Sequence, residues 1–291
     1  MGFFGDEDEA FDLFVLHELD KQNKKSGGCM LSLLLVLLMC VVLTLCACGK
    51  EQPDQAKESG KTTAEVEDSA EADEVPAAEG TVEEEADHGK LLYMGHASIR
   101  IETPEGKVIY IDPYVGDGYD LAADLILVTH GHYDHNKMDL VANRNAGCQT
   151  ITWKEALAGG KYRTFDMDYV TVEAVEAGYN TNHNVGECVG YVLTLSDGVT
   201  VYVSGDTSKT EQMPSLAEKK IDYAFFCCDG VYNMDLAEAA ECAKIVGAKH
   251  NIPYHMVANA DTYFDRQLAE QFEAPNRLII GEGEEIELVS D

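Results

Sequence analysis

Between Ile126 and Asp139 the chain reads ILVTHGHYDHNKMD, and the block His130, His132, Asp134 and His135 limits its possible folds more than any other stretch. These four metal-type donors directly follow the apolar, β-like run DLILVT. Neutral imidazole and carboxylate are the usual protein donors to a catalytic zinc, and one tetrahedral ion that keeps an open position does not draw four donors from one loop. Two ions are therefore expected, with further ligands arriving from distant segments. Gly131 separates the first two histidines and is read as the backbone freedom that lets alternate side chains converge. The competing reading is a polar loop with chance histidines, or a cluster bonded to backbone. The ordered pattern, in a chain with only 9 histidines, weighs against it.

From Leu91 onward short β-rich runs alternate with turn residues: LLYM, SIRIET, KVIYID, LILVTH, QTITW, YVTVEAV, CVGYVLTL and VTVYVSGD. Ser196, Asp197 and Gly198 mark a hairpin turn between the last two. The second half alternates helix and strand. MPSLAEKK precedes IDYAFFCC, the amphipathic MDLAEAAECAKIVG precedes HNIPYH, and TYFDRQLAEQF precedes the strands RLIIG and EIELV. This pattern predicts an α/β (α+β) domain of sheets flanked by helices, with the loops at strand ends free to carry a site. No Walker or dinucleotide glycine motif occurs, and no internal repeat is visible.

The order His-x-His-x-Asp-His at a strand end resembles the metallo-β-lactamase-fold hydrolases, and within them the small metal-dependent hydrolases related to L-ascorbate-6-phosphate lactonase. YMGHASIRIE, VIYIDPY, LILVTHGHYDH, AGYNTNHNVGECVGYVL, VYVSGDTS, CDGVYNMDLAEAA and NIPYHM follow in that family's order, over about Leu91 to Leu288. The resemblance implies an αββα four-layer sandwich over residues 90–291. It also implies that His130, His132 and His183 hold a first metal, that Asp134, His135 and His255 hold a second, and that Asp206 bridges them. Two divalent ions follow, zinc first, with manganese or iron as alternatives. A hydroxide generated between them would attack a small ester-like substrate, a lactone or a phosphoester, with Asp134 or Asp206 relaying the proton.

His96, in MGHAS, matches a histidine of the same subgroup; it is placed with Asp134 and Asp206 among the catalytic candidates, although a core histidine bonded to backbone is an equal reading. Asp112 is expected to orient a ligand histidine rather than bind metal itself. Tyr179, Asn180, Asp229 and Met234 match recurrent positions with no role beyond shaping the pocket. His17, His88 and His250 have no ligand context. A metal-binding or sensing lipoprotein without turnover is the second functional reading.

The formal net charge of -32 repels phosphate backbones, and no basic stripe with interleaved aromatics is present, so nucleic acid is not an expected partner. A small molecule is. Residues 1–28 form an acidic segment of unassigned role. Residues 29–48 are apolar and long enough to span a bilayer, with Lys21, Lys24 and Lys25 on the inner flank. Leu45, Cys46, Ala47, Cys48 and Gly49 resemble a bacterial lipobox with Cys48 as the lipidated residue; an uncleaved transmembrane helix is the alternative. Either places the catalytic domain outside the cytoplasm, anchored at the cell membrane. Residues 49–89 are acidic and poor in large apolar side chains, hence a disordered tether. Of the 9 cysteines, Cys148, Cys188, Cys227, Cys228 and Cys242 fall beyond the apolar run, form no Cys-x-x-Cys pair and are expected as small buried apolar residues.

Overall fold

The computed structural model describes residues 88–258 and 262–290. The expectations for segments 1–28 and 29–48, for Cys48 and for nearly all of 49–89 lie outside the described residues. Among the described residues no helix is long and apolar enough to cross a membrane.

Among the described residues twelve strands form two six-stranded mixed sheets. The first contains β1 (Gly89–Gly95), β2 (Ser98–Glu102), β3 (Val108–Ile111), β4 (Ala123–Val128), β5 (Arg144–Thr152) and, at its outer edge beside β1, β12 (Glu284–Leu288), in the order β12-β1-β2-β3-β4-β5. The second contains β6 (Thr164–Met167), β7 (Val170–Glu176), β8 (Val189–Leu195), β9 (Thr200–Val203), β10 (Tyr223–Cys227) and β11 (His250–Tyr254), in the order β11-β10-β9-β8-β7-β6. Pairing follows the same progression in both: three antiparallel contacts, then two parallel ones. The sequence carries no visible repeat, yet the pairing pattern repeats.

Strand β4 shows why the motif sits where it does. All of its residues are buried, as expected of a strand covered on both faces, and this is the physical origin of its unbroken apolar run. Leu125 and Leu127 enter the core shared by the two sheets, whereas Ala123, Ile126 and Val128 enter a second cluster with Tyr110 and Met94 on the other face. The C-terminal end of β4 therefore delivers Thr129 and His130 rigidly. Parallel strands β9, β10 and β11 end near Asp206, Asp229 and His255 in the same way.

Helices are sparse. The helix Leu236–Val246 is capped by Asp235, whose side chain accepts from Glu238 N–H, and ends at Gly247 in the left-handed conformation. Its small buried face of Ala239, Ala240, Cys242 and Ala243 lets it lie close on β10. The helix expected over TYFDRQLAEQF shrinks to Arg266–Ala269. Tertiary contacts claim the residues before it: the Tyr263 carbonyl accepts from His96 N–H at 2.9 Å, and Phe264 packs edge-on to Tyr93. Asp265 then caps what remains. The expected strand RLIIG is also absent. Arg277 makes one isolated bridge to Asn251, after which pairing stops, and Glu284 closes a turn on Gly281 N–H into β12. Conversely β6 was not expected; it pairs with β7 across a tight turn. The turn at Gly198, with its positive φ of 91°, joins β8 to β9 as expected.

Candidate metal centre

Asp206 stands at the centre of the histidine cluster. Its Oδ1 lies 3.4 Å from His135 Nε2, and its Oδ2 lies 3.2 Å from His183 Nε2 and 3.4 Å from His255 Nε2. The donor atoms of His130, His132 and His183 form one group, and those of His96, Asp134, His135 and His255 form another. His130, His135 and Asp206 form a third group that joins the first two. Every residue singled out in the sequence as a ligand is thus brought into one centre. His96 joins them: its Nε2 is 3.2 Å from Asp134 Oδ2, and its ring centroid is 3.8 Å from that of His255. His250, by contrast, stacks on Tyr223 away from the cluster.

The second layer of hydrogen bonds fixes which ring nitrogens turn toward the centre. Asp112 accepts from Thr129 N–H and Thr129 Oγ1–H, each at 2.7 Å, and its Oδ2 is 2.8 Å from His135 Nδ1. A carboxylate only accepts, so His135 carries a proton on Nδ1 and turns Nε2 toward Asp206. Because the Thr129 hydroxyl proton goes to Asp112, its oxygen accepts from His130 Nδ1–H at 3.1 Å, leaving His130 Nε2 bare. His183 Nδ1 lies 3.1 Å from Asn180 Oδ1, with the same result. Asp229 Oδ2 faces His255 Nδ1 at 3.5 Å.

These bare atoms answer whether the site suits a metal. His130 Nε2, His135 Nε2, His255 Nε2 and Asp206 Oδ1 are buried without a hydrogen-bond partner. A buried polar atom left unpaired is costly, and four of them aimed at one another are the donor set a divalent cation satisfies. The residues fit the group.

The electrostatics show how strongly the cluster favours positive charge. Burial would raise the Asp206 carboxyl, but His255 and His135 hold it well below the usual carboxylate range. Burial disfavours charge on His135 and His255, yet Asp206 together with Asp112 at the first and Asp229 at the second outweighs it, and each is held above the ordinary imidazole value. At His130 burial wins, with His135 adding to it, and the pKa falls well below that value. Burial and then His255 push His96 down to about 4. Burial would raise Asp134; the hydrogen bond from His96 and the charge of His135 keep it ionised.

Backbone strain gathers here too. His96, Asp112 and His255 adopt φ of 51°, 45° and 42°, the left-handed region that non-glycine residues rarely occupy. His96 and His255 are locked to each other by the bond from His255 N–H to His96 O at 2.9 Å.

Gly131 has a different reason from the one its sequence position suggests. Its φ is not positive; instead a Cβ there would meet Cζ2 and Cη2 of Trp153 at 2.8 and 2.9 Å. The constraint is space for the indole, not backbone freedom. Trp153 then lines a cavity of about 330 Å³ with His130, His132, His183, Lys154 and Asn182. Sequence reasoning missed Thr129, Trp153 and Asn233, whose Nδ2 bonds Asp206 Oδ2 at 2.8 Å and Asp229 Oδ2 at 2.7 Å. Asn180 had a signal: Asn in a polar loop bonds the backbone just after it, and here its Oδ1 accepts from Asn182 N–H, an Asx turn, and from His183 N–H, each at 2.9 Å. Met234, buried, fixes that loop through its N–H to Thr207 O at 3.3 Å, and Tyr179 sits exposed at the rim with φ of 62°.

The beta-lactamase superfamily domain matches residues 90–255 of the chain. A UPF0173 metal-dependent hydrolase of Geobacillus thermodenitrificans is 33% identical over 193 residues, spanning 57% of this chain and 84% of its own. One from Thermococcus kodakarensis is 29% identical over 228 residues, spanning 68% and 99%. Among solved structures Igni18, a metallo hydrolase of Ignicoccus hospitalis, superposes with a TM-score of 0.55 at 20% identity, covering 70% of this chain and 99% of that one.

Proposed function

The chain belongs to the beta-lactamase superfamily as a metal-dependent hydrolase, and from that premise we propose a dinuclear enzyme, acting on a small ester-like substrate and anchored at the outer face of a cell membrane. The observation that carries the dinuclear reading is the position of Asp206, whose two oxygens face histidines of both donor groups. His130, His132 and His183 would hold one divalent ion and Asp134, His135 and His255 the other, with Asp206 the carboxylate common to both groups. Zinc suits this imidazole-rich set, with manganese or iron as alternatives. When bound, such ions supply Lewis acidity and make a nucleophile from water at neutral pH.

The chain's own groups do the rest. His96 is neutral at pH 7, and because Asp134 only accepts, the His96 proton sits on Nε2 and is shared with Asp134 Oδ2. That bond holds Asp134 as a carboxylate that can take the proton of the attacking water and return it to the products. Asp206, ionised and gripped by Asn233, is held in place between the two donor groups. Asp112, Thr129 and Asn180 keep the imidazoles of His135, His130 and His183 in the orientations described above.

Treatment with EDTA followed by metal add-back tests the core of this reading. About two equivalents of metal per chain, with hydrolysis of lactone or phosphoester panels lost and restored together, is the result expected; full activity in metal-free protein overturns it. The membrane reading rests on the apolar residues 29–48 and the lipobox-like Cys48. Palmitate labelling and fractionation of wild type against Cys48→Ser examine it, and a wild-type chain that stays unlabelled in the soluble fraction defeats it.

A further inference from the structure

The two flanks of the metal centre differ. On the side of His130, His132 and His183 the cavity wall is mixed, with Lys154, Asn182, Asn184 and Glu187 beside the indole of Trp153. On the side of His96 and Asp134 the walls are tyrosines. The Tyr114 ring lies 5.2 Å from His96, meets Tyr133 edge-on at 5.8 Å and Tyr263 edge-on at 6.0 Å. Tyr263 in turn lies edge-on to His96 at 6.5 Å. Tyr232 and Tyr263 are both near enough to Tyr133 to act on its phenol electrostatically. Lys137, at the edge of this wall, stacks its ammonium on Tyr114 at 4.4 Å.

The wall extends outward. Tyr133, Tyr179, Val185, Val231 and Tyr232 are exposed large apolar side chains on the three loops that carry or flank Asp134, His183 and Asn233, and Asn182 ties two of those loops through Tyr232 O at 3.3 Å. Elsewhere among the described residues, the exposed large apolar side chains are Leu140 and Tyr162. Concentrated exposure of this kind marks a binding surface, and tyrosine offers large contact area at small entropic cost. With a net charge of -32, the chain also disfavours an anionic partner at its mouth.

We propose that Tyr114, Tyr133, Tyr232 and Tyr263 form a specificity wall for the acyl side of the substrate, selecting an uncharged ester or lactone that carries an aromatic or branched alkyl group there. The smaller leaving group occupies the cavity beside Trp153. This inference rests on the ester reading above, and the test separates the two.

The metal-loaded full chain is titrated with benzylphosphonate and with methylphosphonate, read by the fluorescence of Trp153, the chain's single tryptophan. Methyl phenylacetate and methyl acetate are compared in turnover. Benzylphosphonate should bind at least about tenfold more tightly, the scale of burying one aromatic ring, with a similar preference in kcat/KM. Tyr133→Ala should bring the ratio close to one, and Tyr133→Phe should retain it. Equal wild-type affinities, or a Tyr133→Ala loss that is the same for both phosphonates, overturn the wall. Preferential benzylphosphonate binding without hydrolysis of either ester keeps the wall and removes the ester reading. Hydrolysis of both esters at equal rates does the reverse.

Discussion

The indole of Trp153 lies against Gly131 so closely that a single methyl group there would sit 2.8 Å from Cζ2. Because Gly131 lies between His130 and His132, the packing of one aromatic ring sets the spacing of two ligands. Gly131→Ala should therefore push the motif loop off its metal-binding geometry, at a cost of about 1–3 kcal/mol in stability. Metal content should fall with it. Thermal melts and elemental analysis check both, and Gly131→Ala combined with Trp153→Leu should recover metal that the single variant loses.

Asp112 is buried and receives bonds from Thr129 N–H, Thr129 Oγ1–H and His135. Asn in its place turns an amide toward donors it cannot accept from, and frees His135 to take the other tautomer. Asp112→Asn is expected to weaken metal binding or activity by about 10- to 100-fold, the usual scale for groups that orient ligands. Competition titration with a chelator measures the affinity; an unchanged value would show that Asp112 serves folding alone.

His183 and His255 belong to different donor groups yet face the same Asp206 oxygen. His183→Ala and His255→Ala should each leave about one equivalent of metal in place of about two. Loss of both ions in either variant would mean that the centre loads as a unit.

Asp222, buried, accepts from Thr200 N–H at 2.8 Å and from Thr200 Oγ1–H at 2.9 Å, and pairs with Lys249 at 3.0 Å. Burial opposes its charge, but these bonds prevail and its pKa lies below the usual carboxylate value. Its stabilisation is thus complete above the unfolded-state pKa of about 4 and disappears as pH falls through the lower folded value. Asp222→Asn should cost about 1–3 kcal/mol at pH 7 and flatten the acid limb of a stability curve. A variant that loses stability in acid as steeply as wild type would rule Asp222 out as a source of that limb.

Much of the centre could be read from the chain because its donors lie at the ends of strands with strong local signatures. DLILVT before His130, VTVYVSGD ending at Asp206 and HNIPYH ending at His255 are all of this kind. What escaped were residues whose role exists only across the fold. Trp153 touches Gly131 from the start of a helical turn after β5, and Asn233 reaches Asp206 from a loop with no pattern of its own. The helix expected from Thr262 failed for the same reason: Tyr263 and Phe264 had stronger partners in His96 and Tyr93 than in their own helical turn.

Strands β1 and β12 are paired so that Gly89 faces Leu288. The first sheet is consequently closed by a contact spanning about 200 residues, for which chain entropy charges on the order of 5 kcal/mol before any pairing compensates. All the proposed ligands, from His130 to His255, fall inside that span. A nascent chain that has passed His255 but not Glu284 already holds every donor while β1 still presents a bare edge. Acquiring the ligands and shutting the sheet that carries the motif are separate events in time, and the second waits for the last strand to be made.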